Sequence, residues 1–194
     1  ITVDHENNIW IGTNDEGLIK YDHEFFYNYS PSNSNISGYQ FQSVLYDPKG
    51  IIWCGMDEAG LNKYENNSFR NYKTHNSNIP YNEIPHMDID NNGDLWITTD
   101  GNGVAKLTNT GNWLTYNSSN SGLPNNRVWS MKIDKHNNKW FGTLGSGVSI
   151  LDNNGNWQTI NTSNSDLPHG EIWNINEDEA GNIWISTRGG GIFV

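Results

Sequence analysis

Tryptophan recurs in this chain at Trp10, Trp53, Trp96, Trp140 and Trp184, at intervals of 43, 43, 44 and 44 residues. Each copy stands inside the same short phrase. A period of roughly 40–45 residues is the length of one four-stranded propeller blade. The period therefore constrains architecture before any local reading begins, and says much less about what the chain binds.

Each phrase opens on an aspartate and reaches Trp six residues later: DHENNIW, DPKGIIW, DNNGDLW, DKHNNKW and DEAGNIW, from Asp4, Asp47, Asp90, Asp134 and Asp178. The middle position is Asn7, Gly50, Gly93, Asn137 or Gly181. Gly and Asn tolerate positive φ, so the phrase predicts a tight turn between two strands, with the aspartate accepting hydrogen bonds from the turn's own backbone N–H groups. Two residues past Trp the side chain is always small: Gly12, Gly55, Thr98, Gly142 or Ser186. Residues two apart in a strand share a face, so a small residue beside a bulky ring leaves room for a neighbouring sheet. Seven past every Trp is a glycine, Gly17, Gly60, Gly103, Gly147 or Gly191, which ends a loop and starts a third strand. A fourth, aromatic-led segment follows in four copies, marked by Phe26, Phe69, Trp113 and Trp157.

These signals predict strands A to D in each repeat, with A ending at the aspartate and B carrying the Trp. No helical period occurs, so the expected class is all-β, a β-propeller of four-stranded blades. Five blade units are expected, over about residues 1–38, 39–81, 82–125, 126–169 and 170–194, the last lacking its D strand. That count suits part of a larger ring, or else a five-blade ring with one three-stranded blade. The final C strand would then be an open edge, where self-association or a protein partner could add.

The phrases resemble the two-component regulator propeller repeat of bacterial hybrid sensor proteins, which reads roughly D-x-x-G-x-x-W-I-G-T followed by G-G-L. The Asp-to-Trp part is also similar to the Asp-box of sialidase-type propellers. The likeness runs through the whole chain, with Asn7 and Asn137 replacing the turn glycine and Thr98 replacing a preferred Gly. What the resemblance implies is an extracytoplasmic sensor region, periplasmic or secreted, of the kind that often responds to carbohydrate breakdown products. The repeat motif is structural, and it assigns no binding residue.

Composition narrows the partners. With 22 acids against 11 bases the net charge is −11 and no basic stripe exists, which disfavours nucleic acid and anionic membrane surfaces. No apolar run approaches the ~20 residues of a membrane span. Cys54 occupies a position held elsewhere by Ile11, Ile97, Phe141 and Ile185, and reads as a small buried hydrophobe. Asp88 to Gly93 imitates the start of a calcium loop, but its twelfth position is Thr99 where a bidentate Glu is needed. The histidines (His5, His23, His75, His86, His136, His169) show no ligand spacing. No metal, no cofactor and no catalytic residue is expected.

The informative positions are those where the repeats disagree. Aligned on the aspartates, the A strands enter at Gln40, Glu83, Arg127 and Glu171, and two residues on stand Gln42, Pro85, Trp129 and Trp173. Trp129 and Trp173 are candidate stacking surfaces for sugar rings. Arg127, Glu171, Gln42 and the loop residue Arg188 are candidate partners for hydroxyls or a carboxylate. The competing reading makes both tryptophans inter-blade packing. The expected function is a non-catalytic sensing propeller for an oligosaccharide or peptide. A protein-interaction scaffold is the alternative, and a propeller glycosidase or lyase ranks third.

Overall fold

The structure, a computed structural model, describes residues 1–194 and contains only strands, turns and loops. Five antiparallel sheets follow one another along the chain. The first holds β1 (Thr2–Val3), β2 (Ile9–Gly12), β3 (Leu18–Tyr21) and β4 (Phe26–Tyr29). The second holds β5 (Phe41–Asp47), β6 (Ile51–Met56), β7 (Leu61–Glu65) and β8 (Ser68–Tyr72). The third runs through β9 (Met87–Ile89), β10 (Leu95–Thr98), β11 (Val104–Leu107) and β12 (Trp113–Tyr116), and the fourth through β13 (Val128–Ile133), β14 (Lys139–Thr143), β15 (Val148–Leu151) and β16 (Trp157–Ile160). The last has three strands, β17 (Ile172–Glu177), β18 (Ile183–Thr187) and β19 (Gly191–Phe193). Each sheet is an up-and-down meander, the blade of a β-propeller. The chain divides into two compact units, residues 1–87 and 88–194.

The turn between A and B is built as the phrase dictates. Asn7 and Asn137 adopt φ of 66° and 65°, in line with Gly50, Gly93 and Gly181 at 86°, 74° and 89°. Each aspartate caps its turn: Asp90 Oδ1 accepts from the N–H groups of Asn92 and Asp94, and Asp134 Oδ1 from those of His136 and Asn138. Its second oxygen accepts the indole N–H of the Trp six residues on. The Nε1 to Oδ2 distances are 2.8 Å for Trp10–Asp4, 3.0 Å for Trp96–Asp90, 2.9 Å for both Trp140–Asp134 and Trp184–Asp178, and a longer 3.5 Å for Trp53–Asp47. One carboxylate thus fixes both the turn and the rotamer of the ring that follows.

These bonds shift the acids. Burial opposes ionisation of Asp4 and Asp134, but donation from Trp10 and Asn8, and from Trp140 and Asn138, outweighs it and lowers both pKa values. Asp178, bonded by Trp184 and Asn182, falls from the ordinary 3.8 to about 2. A carboxyl depressed in the folded state stabilises it above the unfolded pKa, and that help is lost as pH falls through the folded value. Thermal melts are therefore expected to hold down to about pH 4 and to weaken progressively towards about pH 2. A flat melting temperature across that window would contradict the clamp.

Sheets pack through the tryptophans. In residues 1–87 Trp10 is 2% exposed, stacked on Tyr29 of its own sheet at 6.0 Å and covered by Tyr64 of the next at 5.2 Å. In residues 88–194 Trp96 lies against Tyr116 at 5.4 Å and Phe141 of the following sheet at 5.9 Å. The small residue after each Trp is where strands of the next sheet approach: a Cβ on Gly12 would meet Phe41 and Val44, and one on Gly142 would meet Ile172.

The five tryptophans of the repeated phrase are not equally buried. Trp140 is only partly buried, and Trp184 is 43% exposed. Trp184, in the fifth sheet, makes no ring contact like those of Trp10 with Tyr64 and Trp96 with Phe141. Phe26 is 71% exposed and stacks on Tyr21 of its own sheet, whereas the D-strand aromatics Phe69 and Trp157 pack on the sheet before them. Strand A of the third blade is also shorter than its entry at Glu83 suggests, since β9 begins at Met87. Pro85 lacks the N–H that a ladder needs.

One buried charge breaks the pattern. Lys139 is 5% exposed on β14, where the other blades carry Ile9, Ile52, Leu95 and Ile183. Its Nζ donates to the Asn137 carbonyl at 2.8 Å, lies 3.8 Å from Asp90 Oδ2 and faces the Trp96 ring at 5.7 Å. Burial pulls its pKa down. Replacing a buried ion by a hydrophobe of similar volume is often neutral or stabilising when the partner keeps its other hydrogen bonds. Lys139→Ile is therefore expected to leave the melting temperature unchanged or to raise it, by roughly 0–2 kcal/mol of stability. A loss larger than that would mark Lys139 as a structural requirement.

Candidate functional site

The A strands carry a second regularity, which the repeat phrase does not show. In β13 Val128 pairs with Thr143 and Ser130 with Gly142, leaving Trp129 as an extra residue. In β17 Ile172 pairs with Thr187 and Asn174 with Ser186, leaving Trp173. In β5 the extra residue is Gln42, between Phe41 and Ser43. Each is a β-bulge, and each has one cause. Val128 and Met131 are both fully buried, as are Ile172 and Ile175 to within 2%, although residues three apart in a regular strand face opposite sides. One inserted residue reconciles the two, and its side chain is re-aimed. Apolar pairs at i and i+3 in the A segments were the sequence signal for these bulges.

In residues 88–194 the bulges bring Trp129 and Trp173 together, edge to face, with ring centroids 5.9 Å apart. Trp129 is partly buried and Trp173 is 47% exposed. Just ahead of them runs a belt of backbone pairings that joins consecutive sheets. Asp100 bridges to Arg127, the Leu144 N–H donates to the Arg127 carbonyl at 3.0 Å, Leu144 bridges to Glu171, and the Arg188 N–H donates to the Glu171 carbonyl at 3.0 Å. The side chains along this belt read acid, base, Leu144, acid, base.

Two ion pairs stand on the belt. Arg127 grips Asp100 with both Nε and Nη2, at 2.6 and 2.9 Å. Arg188 reaches Glu171 through a single Nη1 contact of 3.2 Å. The Glu171 N–H in turn donates to His169 Nδ1 at 3.1 Å. The structure thus sets Trp129, Trp173, Arg127, Glu171 and Arg188 along two neighbouring A strands and the loop ends beside them. Gln42 is exposed at the equivalent bulge of β5, in the other unit. Asp100 and Leu144, which complete the belt, stand four residues past Trp96 and Trp140, where the other blades carry Asn14, Asp57 and Arg188, and only the structure shows that this position meets the A-strand entries.

The remaining loops have scaffold geometry. Thr13, Thr99, Thr143 and Thr187 close the B–C loops by donating Oγ1 to the carbonyls of Gly17, Gly103, Gly147 and Gly191 at 2.7–3.0 Å. In the segment that imitates a calcium loop, Asp88 accepts from the N–H groups of Ile89 and Ile133, and Asp90 is occupied by its turn and Trp96. The arrangement sets flat apolar rings beside charge-assisted donors and acceptors on hydrogen-bonded loops.

Comparison with known proteins agrees with the repeat reading. Residues 166–189 match the family model described as "Two component regulator propeller". No curated protein matches the chain. Among solved structures it is similar to the extracellular domain assigned to a hybrid two-component system of B. thetaiotaomicron, at 29% identity and a TM-score of 0.84, over 100% of this chain and 28% of that one. A second extracellular domain from B. thetaiotaomicron, assigned to a one-component system, matches at 21% identity and a TM-score of 0.77, over 95% of this chain and 25% of that one. Virginiamycin B lyase from Staphylococcus aureus, at 16% identity and a TM-score of 0.75 over 100% of this chain and 67% of that one, shares the fold. The chain spans less than a third of the length of the two extracellular domains it matches.

Proposed function

We propose that this chain, built of two-component regulator propeller repeats, is a non-catalytic part of the sensing propeller of an exported bacterial signalling protein. Its extracytoplasmic location accords with the extracellular domains it resembles. The ligand is an oligosaccharide or a peptide, received on the bulged tryptophans and the charged belt beside them.

The observation that carries this reading is the Trp129–Trp173 pair. Both rings stand at bulges that turn them out of the strand ladder, edge to face beside the charged belt. Aromatic rings offer a wide contact area at low conformational cost, and adjacent Arg and Glu side chains supply direction. The lyase likeness at 16% identity brings no chemistry with it.

A glycan array combined with a peptide library tests the reading. Saturable binding to one ligand class, lost when Trp129 and Trp173 are both replaced by Ala in a chain that still folds, is the expected result. Silence on both panels would overturn it in favour of a protein-interaction scaffold. Turnover of a bound sugar would overturn the non-catalytic assignment.

A further inference from the structure

We propose that four loop asparagines, Asn33, Asn76, Asn120 and Asn164, guard the sheet edges against pairing with a second copy of this chain. Each lays its side-chain amide along the D strand of its own blade, in the place a further strand would take. An edge strand turns a row of N–H and C=O groups outward, and such a row is a template for another chain.

The strands β4, β8, β12 and β16 each stand at the edge of their sheet. Along an edge strand, alternate residues direct both backbone groups into the ladder, and those between direct them away. The carbonyls of Tyr29, Tyr72, Tyr116 and Ile160 face Gly17, Gly60, Gly103 and Gly147 at the head of the neighbouring strand, so the residues flanking them face outward. The asparagines meet those flanking residues. Asn120 Nδ2 donates to the Thr115 carbonyl at 3.1 Å, and its Oδ1 accepts the Asn117 N–H at 2.8 Å. Asn164 does the same with Thr159 and Asn161 at 2.9 and 2.8 Å, Asn33 with Asn28 and Ser30 at 3.0 and 2.9 Å, and Asn76 with Asn71 and Lys73 at 3.3 and 2.6 Å. One donor and one acceptor, spent on residues two apart, is the pairing that a residue of a parallel neighbouring strand makes.

The turn itself is held without these amides. Ser121, next in sequence to Asn120, donates both its N–H and its Oγ to the Asn117 carbonyl, at 3.0 and 2.7 Å. Ser34 and Ser77 do likewise on the carbonyls of Ser30 and Lys73. The guard matters most where nothing else closes the edge. No charged residue occurs between Lys106 and Arg127, so β12 lacks the like charges that keep edges apart, and Leu114 on it is 46% exposed. By contrast β8 carries Arg70, with Lys73 just beyond it. Without Asn120, β12 offers its outward groups to the β12 of a second copy, and an antiparallel pairing of the two closes a two-fold dimer.

Sedimentation velocity over a concentration series tests the guard, with Asn120→Ala and Asn76→Ala beside the wild-type chain and amide hydrogen exchange to locate any contact. Both asparagines are exposed, so both variants should fold, with melting temperatures lowered by similar, small amounts. In Asn120→Ala the weight-average mass should climb towards twice the wild-type value as concentration rises, with exchange slowing at the Thr115 and Asn117 amides. Asn76→Ala should match the wild type, because Arg70 still keeps its edge apart. Adding Leu114→Lys to Asn120→Ala should restore the wild-type mass, the new charge replacing the lost amide. An Asn120→Ala chain that melts lower yet keeps the wild-type mass would overturn the inference and leave Asn120 a turn residue. Equal association of both alanine variants, without protection at Thr115 and Asn117, would overturn it as well, by tracing the association to loosened loops.

Discussion

Trp96→Ala is expected to cost about 3–5 kcal/mol, the range for truncating a fully buried large aromatic. Trp96 is 2% exposed and touches Tyr116, Phe141 and the ammonium groups of Lys106 and Lys139, at 5.3 and 5.7 Å. Its loss opens a cavity between the third and fourth sheets, where Val104, Val128 and Met131 are fully buried and cannot reach across. It also strips Asp90 Oδ2 of its indole donor in a residue only 4% exposed. In a chain of this size the melting temperature should fall by roughly 6–20 °C. Trp96→Phe keeps most of the volume and drops the hydrogen bond, so it should cost less, about 1–3 kcal/mol. If the two substitutions were equally mild, the Asp-to-Trp clamp would not be what fastens the blade. Unfolding melts with far-UV detection decide between these outcomes.

Gly103→Ala has the second large effect. Gly103 sits at φ of 90°, and an added Cβ would run into the carbonyl of Tyr116 on the adjoining strand. Backbone, unlike the end of a flexible side chain, cannot step aside. Gly103 also donates to the Asn126 carbonyl and accepts from both the N–H and the hydroxyl of Thr99, so its position is fixed from three sides. The left-handed conformation alone costs an L-residue roughly 1–2 kcal/mol, and the collision should bring the total to about 3 kcal/mol or more. Gly111→Ala is the control. Its φ is 89°, but nothing lies within 4 Å of the new Cβ, so only the conformational cost remains. Equal losses at the two glycines would show that steric contact at Gly103 contributes nothing.

The architecture was readable because it rests on local chemistry repeated five times. The Asp-to-Trp spacing, the αL turn residue and the small residue after Trp each fix a dihedral or a close approach, and Asn7 and Asn137 adopt the same turn as the glycines they replace. The indole-to-carboxylate bond was implicit in the constant six-residue spacing. Features that depend on what lies across a sheet boundary were not readable. Lys139 looks like any lysine in a strand, and only the neighbouring Asp90 and Trp96 explain its burial. Trp184 carries the same phrase as Trp96 and is exposed, because the covering side chain belongs to another sheet. The face with Trp129 and Trp173 lies between these cases. Sequence alignment marked the positions as variable, whereas the bulges that re-aim them follow from the i, i+3 apolar pairs of β13 and β17.

The division of the tryptophans into frame and recognition surface is most directly tested by measuring stability and ligand affinity together in Trp173→Ala. Frame and surface being separate, the melting temperature should stay within about 2 °C of wild type, since an exposed ring contributes little to the core. Affinity for the best array ligand should fall at least tenfold, as expected of an aromatic anchor. A melting temperature that drops while affinity stays unchanged would contradict the account and place Trp173 among the packing residues.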